Sequence, residues 1–112
     1  MSTIAKIPLP LPDLQNPLNI DYVMLKKSSM VLRALNHKLR QQIIQIIANN
    51  EESNVTDLYV KLRVEQSVAS QHLAILRKVH ILTTTRKGKM VMYKINHDRI
   101  TSIKSFVKDL LN

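Results

Sequence analysis

The sequence predicts a mainly helical domain carrying one small β-hairpin, in the order α-α-α-α-β-β-α. Three observations support this. Apolar residues recur at helical spacing through most of the chain after about residue 20. After Val79 the pattern changes to alternation, in Ile81-Leu82-Thr83-Thr84-Thr85 and again in Met90-Val91-Met92-Tyr93-Lys94-Ile95. Between those runs lies Arg86-Lys87-Gly88-Lys89, which holds the only glycine of the 112 residues. A glycine can take the positive φ that a tight hairpin loop requires. The length suits one domain with one core.

Residues 1–20 read as an irregular arm, because Pro8, Pro10, Pro12 and Pro17 remove amide donors and favour extended neighbours. Residues 21–112 form the folded domain. Asp21 is placed to cap a helix over Tyr22 to Leu35, and Asn36 a second over His37 to Ala48, where Leu39, Ile43, Ile44 and Ile47 make an apolar stripe. The Asn49-Asn50 pair marks its stop. Asn54 caps a short third helix, Val55 to Leu62, with Asp57 favoured in the first turn by the helix dipole. Arg63 to Glu65 leave room only for a turn before a fourth helix, residues 66–79. That pair is a helix-turn-helix, and the hairpin after it is a wing. The last helix runs from His97 to Leu111.

The fourth helix is where the chemistry concentrates. Ala69, Leu73, Leu76 and His80 share one face, which suits burial, while Gln66, Ser67, Ser70 and Gln71 crowd the other side of the first turns. A recognition helix carries polar groups there to reach base edges in a DNA major groove. An ordinary amphipathic helix with a solvated polar face has the same pattern. Charge separates the two readings. The chain carries a formal +9, and between Val60 and Lys94 the cations Lys61, Arg63, Arg77, Lys78, Arg86, Lys87, Lys89 and Lys94 face one anion, Glu65. Such a concentration points to a polyanionic partner, most often nucleic acid.

Several classes are excluded or disfavoured. The chain has no cysteine, which rules out disulfides and thiolate metal sites and suits a cytoplasmic protein. No apolar run is long enough to cross a bilayer, and the prolines interrupt any signal-like helix near the start. Neither a nucleophile elbow nor a glycine-rich phosphate loop is present, so an enzyme is not expected. His37, His72, His80 and His97 show no short-range spacing for a metal, and no cofactor is expected.

Local sequence adds a resemblance. Leu35-Asn36-His37-Lys38-Leu39-Arg40-Gln41-Gln42-Ile43-Ile44, then Ser67-Val68-Ala69-Ser70-Gln71-His72-Leu73, then Leu76-Arg77 with Ile81-Leu82, and finally Arg86-x-Gly88 with Tyr93 resemble the ArsR/SmtB-type winged-helix repressors in the same order. The resemblance runs from about Met24 to the C-terminus. It implies a winged helix-turn-helix fold and a repressor of transcription. The departures are specific. Where arsenic-type members carry Cys-Val-Cys-Asp-Leu, this chain has Asn54-Val55-Thr56-Asp57-Leu58, without thiolate. At the last helix only His97 and Asp98 are present of the family's second metal site. The family's glycine at the end of the recognition helix is His80 here, so His80 must either accept a left-handed backbone or the helix must end another way.

The expected function is sequence-specific binding of double-stranded DNA by a homodimer that reads an inverted repeat. Gln66, Ser67, Val68, Ser70 and Gln71 are the candidate base-reading residues. Arg63, Arg77, Arg86, Lys87 and Lys89 are candidates for phosphate or minor-groove contact. Tyr22 and Met30 of the first helix, with Ile100, Ile103, Phe106, Val107 and Leu110 of the last, are the candidate dimer interface, since so small a domain has little core in which to bury them. A last helix that closes its own monomer core is the alternative. Two other functions stay open: an interaction module for an acidic protein or RNA, and a metal-responsive repressor with a His/carboxylate site.

Overall fold

The computed structural model describes residues 16–112. Most of the proline-bearing arm, including Pro8, Pro10 and Pro12, lies outside the described residues. Its end is a turn in which the Asn16 side chain accepts from the Ile20 amide at 3.0 Å. Five helices and a three-stranded antiparallel sheet follow: α1 (Tyr22–Leu35), α2 (Lys38–Asn50), β1 (Glu52–Ser53), α3 (Val55–Leu62), α4 (Gln66–Lys78), β2 (Leu82–Lys87), β3 (Met90–Ile95) and α5 (His97–Leu111).

The expected helix starts hold at α1 and α3. Asp21 accepts from the amides of Val23 and Met24, and Asn54 from that of Asp57. The start of α2 differs. Asn36 closes α1, its own N–H donating to Leu32 and Arg33, and His37 is the cap of α2 through Nδ1 to the Leu39 amide at 3.2 Å. The helix then runs to Asn50, past the expected stop at Ala48. Glu51 ends it with a positive φ of 68. The chain is thereby turned back as β1, which the sequence reading did not anticipate. Two residues, Glu52 and Ser53, pair with Lys94 and Tyr93, so the sheet order is β1-β3-β2. A strand so short has no alternation to detect.

The hairpin register pairs Leu82 with Ile95 and Lys87 with Met90. The loop is therefore only Gly88-Lys89, with Gly88 at φ +63, and Arg86 and Lys87 belong to the strand rather than to a four-residue tip. In a pleated strand neighbouring side chains point to opposite faces. Arg86 and Lys87 consequently leave the sheet on opposite sides.

The core lies where α2, α3, α4 and the sheet meet. Ile43, Ile47, Leu58, Leu73, Leu76 and Ile81 are wholly buried, with Ala34 at its α1 edge. Ile100 and Ile103 of α5 pack partly against it. The turn between α3 and α4 rests on Arg63 in the left-handed region at φ +58, and the Val64 amide reaches the Tyr59 carbonyl at 3.2 Å. That close turn fixes the angle at which α4 crosses α3.

At its other end α4 stops as the missing glycine implies. His80 adopts φ +63, and the Ile81 amide reaches back to the Leu76 carbonyl at 3.0 Å. This is the left-handed helix ending that glycine normally provides. His80 is exposed and does not share the buried face of Ala69, Leu73 and Leu76, because the reversal takes it off the helix. A side chain in this conformation is disfavoured by Cβ sterics, whereas glycine is not. His80→Gly is therefore expected to raise stability by about 0.5–1 kcal/mol, net of the larger entropy of an unfolded glycine. Urea denaturation of the two proteins checks this, with no gain counting against a strained helix end.

Candidate nucleic-acid interface

The helix-turn-helix divides α4 into two faces. Ala69, Leu73 and Leu76 are completely buried. Gln66, Ser67, Ser70 and Gln71 are exposed, and Val68 is half-buried beside them. None of the four exposed polar residues has a side-chain hydrogen bond among the described residues, so their donors and acceptors are available to a partner. The cap residue Glu65 makes no side-chain bond to the first turn, which leaves the positive end of the helix dipole open on the same side.

The cations surround this face without forming a single cluster. Arg63 is exposed in the turn before α4 and Arg77 is exposed in its last turn. Ser70, Arg77 and Tyr93 share the lining of a shallow cleft between α4 and β3, which sets the helix beside the base of the wing. Lys89 stands at the exposed hairpin tip, and Arg86 is exposed on its strand. Lys87 behaves differently from the other two. Its ammonium is paired with Glu52 of β1, and this hydrogen bond, with the charge of Lys94 adding to it, holds the Glu52 carboxyl below the usual carboxylate range. Sequence reasoning missed Glu52, because its approach to Lys87 follows from the register of a two-residue strand.

Two more residues behind the site were not singled out for it. Arg40 of α2 is nine-tenths buried and bonds His72, on the flank of α4, at 3.2 Å. His72 is half-buried on α4, and its partner lies 32 residues away, which leaves no local signal in the sequence.

The residues expected at a dimer interface lie on α1 and α5, and Met30 among them lines a cleft with Ile75 and Lys78 of α4. Tyr22, Met30, Phe106 and Leu110 are exposed, joined by Val23, Met24, Leu25 and Leu111. Val107 is half-buried. Ile100 and Ile103 are half-buried against the monomer core, and Ile103 also lines the groove between α1 and α5. Between the two helices runs an apolar groove of about 220 Å³, floored by Val31, Leu32, Ile103 and Phe106.

The residues at the family's thiolate positions on α3 do not fit a metal. Asn54 is occupied as the cap of α3 and donates to the Met90 sulfur, and Thr56 supplies no thiolate. Among the described residues, no group of three or more His, Cys, Asp or Glu is arranged to hold an ion. No described helix is long and apolar enough to cross a membrane.

Comparison with known proteins agrees with this geometry. The family described as "Bacterial regulatory protein, arsR family" matches residues 37–84, from the cap of α2 into β2. The transcriptional repressor PagR of Bacillus anthracis is 30% identical over 84 residues, covering 75% of this chain and 84% of that protein. The transcriptional activator HlyU of Vibrio cholerae is 32% identical over 77 residues, covering 69% and 70%. The crystal structure of PagR superposes with a TM-score of 0.62 over 78% of this chain and 99% of that one, at 28% identity. A winged helix-turn-helix domain from Mycobacterium bovis shares the fold, with a TM-score of 0.68 at 20% identity over 83% of this chain and 85% of that one. The chain thus belongs to the arsR family of bacterial regulatory proteins and is a DNA-binding transcriptional regulator of winged helix-turn-helix fold.

Proposed function

We propose that this regulator works as a homodimer, placing one copy of α4 in each of two successive major grooves and reading an inverted repeat. The observation that carries this is the division of α4: three wholly buried apolar residues behind, and four exposed, unpaired polar residues in front. Gln66 and Gln71 have the amide pair that bonds adenine edges bidentately, Ser67 and Ser70 donate and accept on bases or phosphates, and Val68 packs against a thymine methyl. Arg63, Arg77, Arg86 and Lys89 supply phosphate contacts that set register. Lys87 joins them on exchanging Glu52 for a phosphate.

The exposed apolar residues of α1 and α5 supply the pairing surface, and PagR's description as a repressor supports repression by occupying a promoter. Binding alone accounts for the activity in this reading. It involves no catalytic step, and a cytoplasmic location follows from the DNA partner.

Selection of duplexes from a random pool tests the reading, with the salt concentration held fixed. An inverted repeat with half-site centres roughly 34 Å apart is expected. Recovery of direct repeats, of single sites or of no consensus would count against paired grooves, and a preference for RNA over duplex would identify another partner. Leu110→Glu, which sets a charge on the exposed apolar end of α5, is expected to shift sedimentation from dimer to monomer. Unchanged sedimentation would show that α5 does not pair.

Side-chain roles separate by salt and by sequence. Gln71→Ala is expected to cost roughly 1–3 kcal/mol on the selected site and to relax preference at one base pair. Lys87→Ala with Lys89→Ala is expected to weaken all duplexes alike and to flatten the salt dependence, which for six to ten phosphate contacts is roughly three to five decades between 50 and 200 mM. Titration by fluorescence anisotropy at several salt concentrations checks both. Silence of Gln71→Ala on every duplex would remove it from the reading face.

A further inference from the structure

Arg40 is a buried cation without a carboxylate. Its Nε donates to the Ala34 carbonyl at 2.6 Å and its Nη2 to that of Arg33 at 3.3 Å, so its charge sits on the negative, carbonyl-bearing end of α1. Gln41 takes the next carbonyl, Leu35, at 2.8 Å. The remaining arm, Nη1, meets Nδ1 of His72 on α4 at 3.2 Å. A guanidinium has donors only, so His72 must be the acceptor at Nδ1 and carry its proton on Nε2. One side chain of α2 thereby ties the end of α1 to the flank of the recognition helix.

We propose that Arg40 and His72 are a positioning pair for α4, joined by a hydrogen bond that only neutral His72 can accept, so that proton uptake by His72 releases the recognition helix and lowers affinity for DNA. The proposal rests on α4 being the reading helix.

The surroundings favour such a device. From α2, the ring of His37 lies 4.7 Å from that of His72, centroid to centroid, and Arg40 is bonded to it. Arg33 of α1 and Lys78 of α4 line the same small cleft as Arg40. No carboxylate acts on His72. Burial, then His37, then Arg40 hold its imidazole below the ordinary histidine range. In sign, the bond is intact at and above neutral pH and is lost as pH falls through that lowered value. Protonation would put a second cation against a donor-only group and leave a buried guanidinium arm unsatisfied. His72 lies on the half-buried flank of α4 between the α2 contact and the reading face, so the loss falls on the orientation of Gln71 and its neighbours.

The expected pH response is opposite to that of simple electrostatics. An added charge on a DNA-binding surface strengthens attraction to phosphate, so acidification alone would tighten binding. Release of α4 weakens it, by up to about tenfold per protomer for each pH unit below the protonation midpoint.

The test compares anisotropy titrations of the selected duplex at constant ionic strength from about pH 8 to about pH 5. Wild type is set beside His72→Gln, whose amide oxygen accepts from Arg40 without titrating. The quantity read is each protein's ratio of affinities across the range. Wild-type affinity is expected to fall with acid, and the His72→Gln ratio to be flat or reversed. A wild-type affinity that holds or rises, or an equal fall in both proteins, would overturn the proposal. Independently of DNA, nitrogen NMR of the imidazoles should find His72 neutral with its proton on Nε2 at neutral pH, and protonating below the ordinary histidine range. An imidazolium or an Nδ1 proton at neutral pH would overturn it even if His72→Gln failed to fold. So would global unfolding of the wild type over the same pH range. Failure to bind any duplex at pH 8 would instead reject the reading of α4, and the NMR result would still decide the Arg40–His72 bond.

Discussion

The last carbonyls of a helix must find donors, and in this protein that requirement joins one helix to the next. A helix ends with carbonyls that have no partner in its own ladder. At the end of α1 they are met by Arg40 and Gln41 of α2. At the end of α4, Arg99 of α5 donates to the Val79 carbonyl at 3.1 Å, and the Asn96 side chain to that of His80 at 3.0 Å. The Asn96 amide then takes the Ile81 carbonyl at 2.9 Å. The recognition helix is therefore secured on its flank by α2 and at its end by α5. Hydrophobic burial of Leu73 and Leu76 supplies most of its hold, but burial is not directional. The hydrogen bonds set how the helix is turned.

These attachments connect the two surfaces of the molecule. The polar face of α4 and the basic wing form one. The exposed apolar residues of α1 and α5 form the other. Arg40 runs from the end of α1 to α4, and Arg99 from α5 to the end of α4. Two side chains thus run from the ends of α1 and α5 to α4. In this chain the family's thiolate positions on α3 hold a helix cap and a threonine, so coupling through those positions has no ligand set.

What was legible in the sequence follows physical range. Asp21 and Asn54 were readable as caps because a cap acts within three residues of itself. Asn36 and His37 were misassigned because both can accept from a following amide, and the choice depended on how α1 finished. His80 was flagged from the absence of a glycine, and its left-handed backbone follows from the sharp turn that Ile81 must make into the sheet. The strand β1 was not legible, having two residues and no period. Nor was the pairing of Lys87 with Glu52, for the same reason. The cationic tip was read as one unit, whereas the register moves Arg86 and Lys87 into the strand and onto opposite faces. The set Gln66, Ser67, Ser70 and Gln71 is exposed as periodicity predicts, since helical spacing alone separates it from Ala69, Leu73 and Leu76.

The charges show why a basic surface is not one electrostatic object. Lys89 and Arg86 face solvent, while Lys87 is held by a carboxylate whose other near neighbour is Lys94. This ion pair lies at the surface, where water and salt screen it, so Lys87 is readily exchanged onto a phosphate. Arg40 is different in kind. Buried against carbonyls and one imidazole, it cannot be exchanged without leaving donors unmet, and it contributes geometry rather than attraction to DNA. Attraction is therefore assigned to cations at the rim, and orientation to the one beneath the helix. The two properties can then respond to different conditions: salt acts on the rim, and protonation of a single histidine acts on the cation below.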